Sequence, residues 1–261
     1  MRSLDIASTG MQAQQTNVDV ISNNLANMTT TGFKRRRAEF QDLVYQNLRR
    51  VGSNTSDSGT IVPAGAQVGL GVRTAAIYRI NEQGTLQQTS NSLDVAIRGN
   101  GYFQVTLPTG DTAYTRDGTF GLSPTGEIVT SDGYQVAPGL TIPANATSVT
   151  ISATGLVQAT LSGQTTPTTV GTMQLATFPN ESGLDAQGDN LFLQSAASGN
   201  VVQGNPGSPG FGSILQGFVE GSNVNVVTEV SDLITAQRAY EMNSRVITAS
   251  DQMLSTLSQL R

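Results

Sequence analysis

Asp117 and Asp132, each followed by glycine, come closest to a catalytic carboxylate pair in this 261-residue chain. Two facing carboxylates can divide acid and base roles in glycosidic-bond hydrolysis. Both, however, stand in Asp-Gly dipeptides between short β-branched runs, and Asp-Gly is what a tight hairpin turn requires. Turn chemistry accounts for them. Lys34 is the single lysine beside thirteen arginines, and no G-x-x-x-x-G-K-[ST] surrounds it, so the sequence holds no phosphate-binding loop. Gly99-Asn100-Gly101 opens like a dinucleotide fingerprint, but Gln104 occupies the last glycine position and a strand pattern follows where a helix is needed. Those glycines predict a tight turn ahead of a buried Tyr102-Phe103 strand. The chain has neither Cys nor His. That removes the Ser-His-Asp triad, thiol nucleophiles, the usual zinc and haem ligand sets, and disulfides. The expectation is a protein that is not an enzyme and uses no cofactor and no metal.

Lys34, Arg35, Arg36, Arg37, Arg49 and Arg50 gather six of the fourteen basic residues. Nucleic-acid binding would pair such a cluster with a basic chain and stacking aromatics. Here the net charge is −5, aromatics are 5% and Trp is absent, while Glu39 and Asp42 interleave with the cluster. A solvated or subunit-facing patch is the expectation. Only 13% of residues are charged, and 32 Thr, 24 Ser, 21 Gln and 17 Asn supply the polarity instead. Such a surface is hydrated without strong long-range repulsion, which suits packing against many copies of one chain. No apolar run reaches the roughly 18 residues of a membrane-spanning helix. The first residues lack the basic, apolar and small-residue regions of a cleaved export signal.

The elements that must position these residues divide the chain into helical ends and a turn-rich middle. Leu4, Met11, Val18 and Leu25 recur every seven residues, with Ala7, Ile21 and Met28 as a second row. That is the stripe of a helix facing another helix, and Thr29-Thr30-Thr31-Gly32 stops it. At the other end Val226, Leu233, Tyr240, Ile247 and Leu254 repeat likewise, predicting a helix over about 226–258, roughly 50 Å long. Asn225 is its expected N-cap, with Glu229 and Asp232 near the positive end of the helix dipole. Between the ends, Gly110, Gly118, Gly126 and Gly133 punctuate short β-branched and aromatic runs, predicting successive antiparallel hairpins. The stretch 195–213 is crowded with Gly and Pro and reads as loop. Residues 46–71 are polar and rich in Gly and Ser, and by composition alone read as a linker.

Taken together, these segments resemble a family. Asn17-Val18-Asp19-Val20-Ile21-Ser22-Asn23-Asn24-Leu25-Ala26-Asn27, followed by Thr31-Gly32-Phe33-Lys34, is similar to the N-terminal signature of bacterial flagellar rod and hook proteins. Asp94 through Phe103, with Gly99 and Gly101, resembles that family's central motif, which Tyr114-Thr115-Arg116-Asp117-Gly118-Thr119-Phe120 continues. Gly221-Ser222-Asn223-Val224-Asn225-Val226 and Gln237 through Asn243 resemble its C-terminal block. Chain length, the Gln237–Leu254 block and the 46–71 insertion look closer to distal-rod members than to proximal-rod or hook members.

The fold expected from residues and resemblance together is α+β. N- and C-terminal helices pair as a coiled-coil-like domain (1–30 and 225–261) flanking a mainly antiparallel, hairpin-rich β domain (76–224). Residues 31–75 form a linker or bridge, in which Arg49, Arg50, Pro63, Gly65, Gly69 and Gly71 lie across a neighbouring copy. The resemblance implies a homo-oligomeric helical polymer, a rigid tube that transmits torque and encloses an export channel. Its implied partners are proximal rod proteins, hook protein, the ring bushing and the flagellar export apparatus, with no nucleic acid and no membrane-spanning segment. The alternatives are a proximal-rod or hook-type member, or a carboxylate-dependent peptidoglycan hydrolase.

Overall fold

The computed structural model of the protein describes residues 2–49, 65–164 and 166–259. Arg50 and Pro63 lie outside the described residues, as does the side chain of Leu257. The chain divides into two compact units: a helical unit of Met1–Leu25, Arg36–Tyr78 and Asn225–Arg261, and a β unit of Ala26–Arg35 and Arg79–Val224.

In the helical unit, α1 (Arg2–Ala26) and α2 (Val226–Gln259) fall where the heptads place them. Asn225 caps α2 as its side chain predicts: Oδ1 accepts from the Val227 and Thr228 N–H groups at 3.1 and 3.3 Å. Four strands follow α1 in sequence: β1 (Arg36–Asp42), β2 (Tyr45–Arg49), β3 (Ala66–Gly69) and β4 (Val72–Arg79). β1 pairs with β4 and β2 with β3, and the Leu43–Gly71 and Leu70–Val44 backbone bonds join the two pairs into one ribbon. The 46–71 segment thus has paired strands at both described ends. Its signal is Ala66, Val68 and Leu70 at every second position, which overall Gly and Ser content conceals.

The β unit begins with β5 (Leu86–Gln88), β6 (Val95–Arg98), β7 (Tyr102–Thr106) and β8 (Thr112–Thr115). β7 is the centre of its largest sheet. It pairs antiparallel with β8, with Gln135–Val136 and with Leu175–Thr177. Gly110, Gly126 and Gly133 sit at positive φ in the hairpin turns, at the glycine positions that mark those turns in the sequence. Apolar residues of β6 and β7 (Val95, Ile97, Phe103) pack with Ile128, Met173 and Ile214 into the main core. A second cluster sets Tyr102 and Tyr114 edge-on to Phe178, and Tyr102 edge-on to Phe192. One expectation fails here. Within the Gly/Pro-rich stretch 195–213, Val202–Gly204 is a strand paired with Leu175–Thr177. Three residues suffice to extend a sheet whose edge is already in place, and no turn-residue count registers so short a pairing.

Candidate functional site

α1 and α2 run antiparallel, and three contacts fix their register. Ser3 bonds Ser250 at 3.3 Å, a Cβ on Gly10 would meet Asn243 Nδ2 at 2.9 Å, and Asn24 Nδ2 donates to Glu229 Oε2 at 3.1 Å. In each pair the residue numbers sum to 253. On α2 the contact line is therefore Glu229, Ala236, Asn243 and Ser250, one residue per heptad. At Gly10 the space beside α1 is taken by the Asn243 amide, so a larger side chain there would have to displace it. Buried beside the line are Ala7, Ala13, Val20, Ile21 and Ala236. This seam is held by small size and hydrogen bonds more than by apolar bulk.

Asn24 is the junction of the unit. Besides Glu229 it holds the start of β1, donating to the Arg36 carbonyl at 2.9 Å and accepting from the Arg36 N–H at 2.8 Å. At the ribbon's other strand, the Val72 N–H donates to Thr9 Oγ1 at 3.3 Å. The ribbon is thus hydrogen-bonded to α1 at two places.

The stripe chosen for helix packing lies beside this seam rather than on it. Leu4, Met11, Val18, Leu25, Leu233 and Ile247 are half-buried and Ile21 is buried. Val226, Tyr240 and Leu254 are exposed, with α2 also exposing Val227 (80%), Met242 (63%), Ile234, Val246 and Met253. Val227 stands on the side of α2 opposite Ala236, and Ile234 follows it one heptad on. Val246 and Met253 define another side, about 100° around the helix. Apolar side chains on several faces are the mark of a helix made for burial all round. Of the bridging residues, Arg49 is exposed and Gly65, Gly69 and Gly71 are half-buried.

In the β unit the motif residues converge. Gly99 and Gly101 hold positive φ before β7, and Arg116 Nη1 donates to both of their carbonyls. Arg116 Nε also lies 3.0 Å from Glu220 Oε2, while Lys34 Nζ reaches Glu220 Oε1 at 2.5 Å. All three side chains are buried. Lys34 therefore leaves the basic cluster read from sequence: it is an interior ion, not part of a solvated patch. Burial pushes Lys34 below its ordinary pKa, Arg116 adds to that, and Glu220 opposes both. Tyr102, which donates to Glu181 at 3.1 Å, is shifted up, first by burial and then by the Glu181 charge. Asp117 accepts from the Thr119 N–H and hydroxyl, but Asp117-Gly118 does not close the hairpin expected of it: Thr112–Thr115 pairs with β7 and Leu191–Leu193, not with the strand that follows. Gly32, Gly118 and Phe103 are buried, as are Asn24 and Asp94; Phe33, Asn27 and Asp117 are half-buried, and Asn23 is exposed. Sequence reading missed Glu220, and quoted Asn223 and Asn243 in the C-terminal motif without giving them a role. The available signal was a charge at the end of the strand Phe218–Glu220, just ahead of the helix.

Among the described residues no cluster of three or more candidate ligands could hold a metal, and no helix is long and apolar enough to cross a membrane. Three family profiles match in chain order. They are the flagella basal body rod protein over 4–34, the flagellar hook protein FlgE/F/G D1 domain over 96–159, and the flagellar basal body rod FlgEFG protein C-terminal region over 215–260. The flagellar basal-body rod protein FlgG of Caulobacter vibrioides (strain ATCC 19089 / CIP 103742 / CB 15) is 60% identical, with 100% of both chains covered. The chain belongs to the FlgG family of flagellar basal-body rod proteins. The FlgG of Agrobacterium fabrum (strain C58 / ATCC 33970) is 51% identical over 99% of each chain, and that of Bacillus subtilis (strain 168) 40% over 100% of this chain and 99% of its own. Membership of the FlgG family makes the chain a structural component of the basal-body rod. The FlgG-type signatures coincide with the features built above: 4–34 spans α1 and Lys34, and 215–260 spans Glu220, Asn225 and α2.

Proposed function

We propose that the chain is the subunit of the distal rod, and that many copies assemble into a rigid helical tube. In this reading the tube carries torque from motor to hook and encloses the export channel. The observation that carries it is α2. Its seam with α1 uses one side of the helix, yet apolar side chains stand on at least two others, at Val227 and Ile234 and at Val246 and Met253. One neighbour cannot cover both, so each copy needs several. Contacts multiplied in this way give stiffness that a single weak seam does not.

The β unit forms the outer wall, and the ribbon of β1 to β4 bridges to an adjacent copy through its exposed Val44 and Leu48. Proximal rod proteins and hook protein meet the two ends of the tube, the ring bushing surrounds it, and the flagellar export apparatus delivers its subunits. The role is mechanical, with no chemical step assigned to the chain. Polymerisation of the purified chain, followed by electron microscopy, tests the reading. Wild-type chain forms tubes, while Val227→Asp and Val246→Asp chains stay monomeric; tubes of ordinary length from both variants would refute it.

A further inference from the structure

The stretches 32–35, 80–84 and 220–223 of the β unit each lie next to a point where the chain passes into the helical unit. Within the β unit they are tied to one another. The Arg35 N–H donates to Asn223 Oδ1 at 2.7 Å, and Asn223 Nδ2 donates to the Ile80 and Glu82 carbonyls at 2.8 and 3.0 Å. The Ile80 N–H donates to the Arg35 carbonyl at 2.9 Å, and the Gly32 N–H to the Glu220 carbonyl at 2.8 Å. Lys34 Nζ donates to the Glu82 carbonyl at 2.9 Å, and the Gly84 N–H to Glu220 Oε1 at the same distance. At Gly84 a Cβ would strike the Gly221 carbonyl oxygen, so the stretches touch backbone to backbone. Arg116 then fastens Glu220 to the Gly99 and Gly101 carbonyls at the head of β7.

Folding stability alone does not call for this arrangement, because well-packed apolar replacements of a buried ion set are often as stable or more so. What the ions and the Asn223 amide supply is a directional hold between specific atoms. We propose that Lys34, Glu220, Arg116 and Asn223 form a force-carrying root that ties three of the four exits of the β unit into one mechanical body. Force arriving along one exit then stretches the bonds of all three at once and does not peel a single strand. The proposal rests on the reading of the chain as a torque-bearing subunit.

Hydrogen exchange on the full-length chain tests the root directly, with Asn223→Ala and the pair Lys34→Met/Glu220→Gln as independent variants. Expected is exchange faster by about tenfold or more at the Gly32, Ile80 and Gly221 amides together, with β7 and β8 keeping their rates. Unchanged rates at those three amides overturn the root. So does an equal rise in β7 and β8, since the cluster then serves only the core. Swimming against raised viscosity tests the load: Asn223→Ala cells with full-length rods should slow more steeply than wild type. Wild-type speed at every viscosity, from a chain whose root exchanges faster, overturns the force-carrying role. The exchange result stands by itself even if the chain proves to sit outside the torque path.

Discussion

Asn24 and Glu229 are 205 residues apart in sequence, and the Asn24 amide donates to the Glu229 carboxylate at 3.1 Å in the interior of the helical unit. Glu229 lies in the first turn of α2, where the helix dipole favours a carboxylate. The same Asn24 side chain holds both backbone groups of Arg36. One amide therefore couples the helix pair to the start of the ribbon. Truncation to Asn24→Ala leaves a buried carboxylate and two backbone groups short of partners, at a cost of about 2 kcal/mol. The critical concentration for polymerisation should rise by more than tenfold. Glu229→Gln, which keeps an acceptor for the Asn24 amide, should cost much less, and equal effects from the two changes would contradict this assignment.

Leu25 is half-buried, whereas Leu254 is 39% exposed. Leu254→Asp should leave the circular dichroism of the subunit unchanged. In the assembled rod the same charge would sit unpaired in a dry interface, at about 3 kcal/mol per copy. Leu25→Asp should also block assembly, and should loosen the helical unit as well. Rods of normal length from a Leu254→Asp strain would show that this position faces water.

Lys34 predicts a pH dependence with a definite sign. Its ordinary pKa of 10.5 applies in the unfolded chain, and burial lowers it in the folded one. Between the two values the unfolded chain binds more protons, so stability rises with pH across that window. Below the folded value the full penalty is present. Tyr102 acts in the opposite sense, since its raised pKa contributes stability that is lost as pH climbs beyond 10.0. Comparison with Lys34→Met cancels the Tyr102 contribution. The stability difference, wild type minus variant, should increase as pH climbs towards 10.5. A flat or falling difference would show that Lys34 is not a desolvated ammonium.

Val44 is 76% exposed and Leu48, at a bulge in β2, 58%, and Val44 lies opposite Leu70 across the ribbon. A two-stranded ribbon with an open apolar face is marginal by itself. The paired change Val44→Asp/Leu48→Asp should spare the fold of the subunit and yield rods that curve, soften or stop short. Deletion of 53–62, outside the described residues, should do the same if the segment bridges copies. Straight, full-length rods in electron micrographs of either strain would leave the segment as a tether.

Both helices and the Asn225 cap were legible because heptad spacing and capping chemistry are local. The hairpins at Gly110, Gly126 and Gly133 were legible for the same reason. The α1–α2 register was not. A reader of hydrophobicity selects Val226, Leu233, Tyr240, Ile247 and Leu254, while the contact line three residues away is Glu229, Ala236, Asn243 and Ser250. That line is set by polar and small side chains, which carry no hydrophobic signature. Lys34 was misread because its neighbours are arginines. Its partner Glu220 lies 186 residues further on, and only folding brings the two together.

The central claim is that the open apolar faces of α2 are covered by other copies of this chain. A photoreactive amino acid placed at Met242, 63% exposed in the subunit, reads this in purified basal bodies. The account predicts cross-links from this position chiefly to further copies of the same chain, in a ladder of dimers and higher oligomers. Recovery of uncross-linked monomer alone, or of cross-links solely to other proteins, would contradict it.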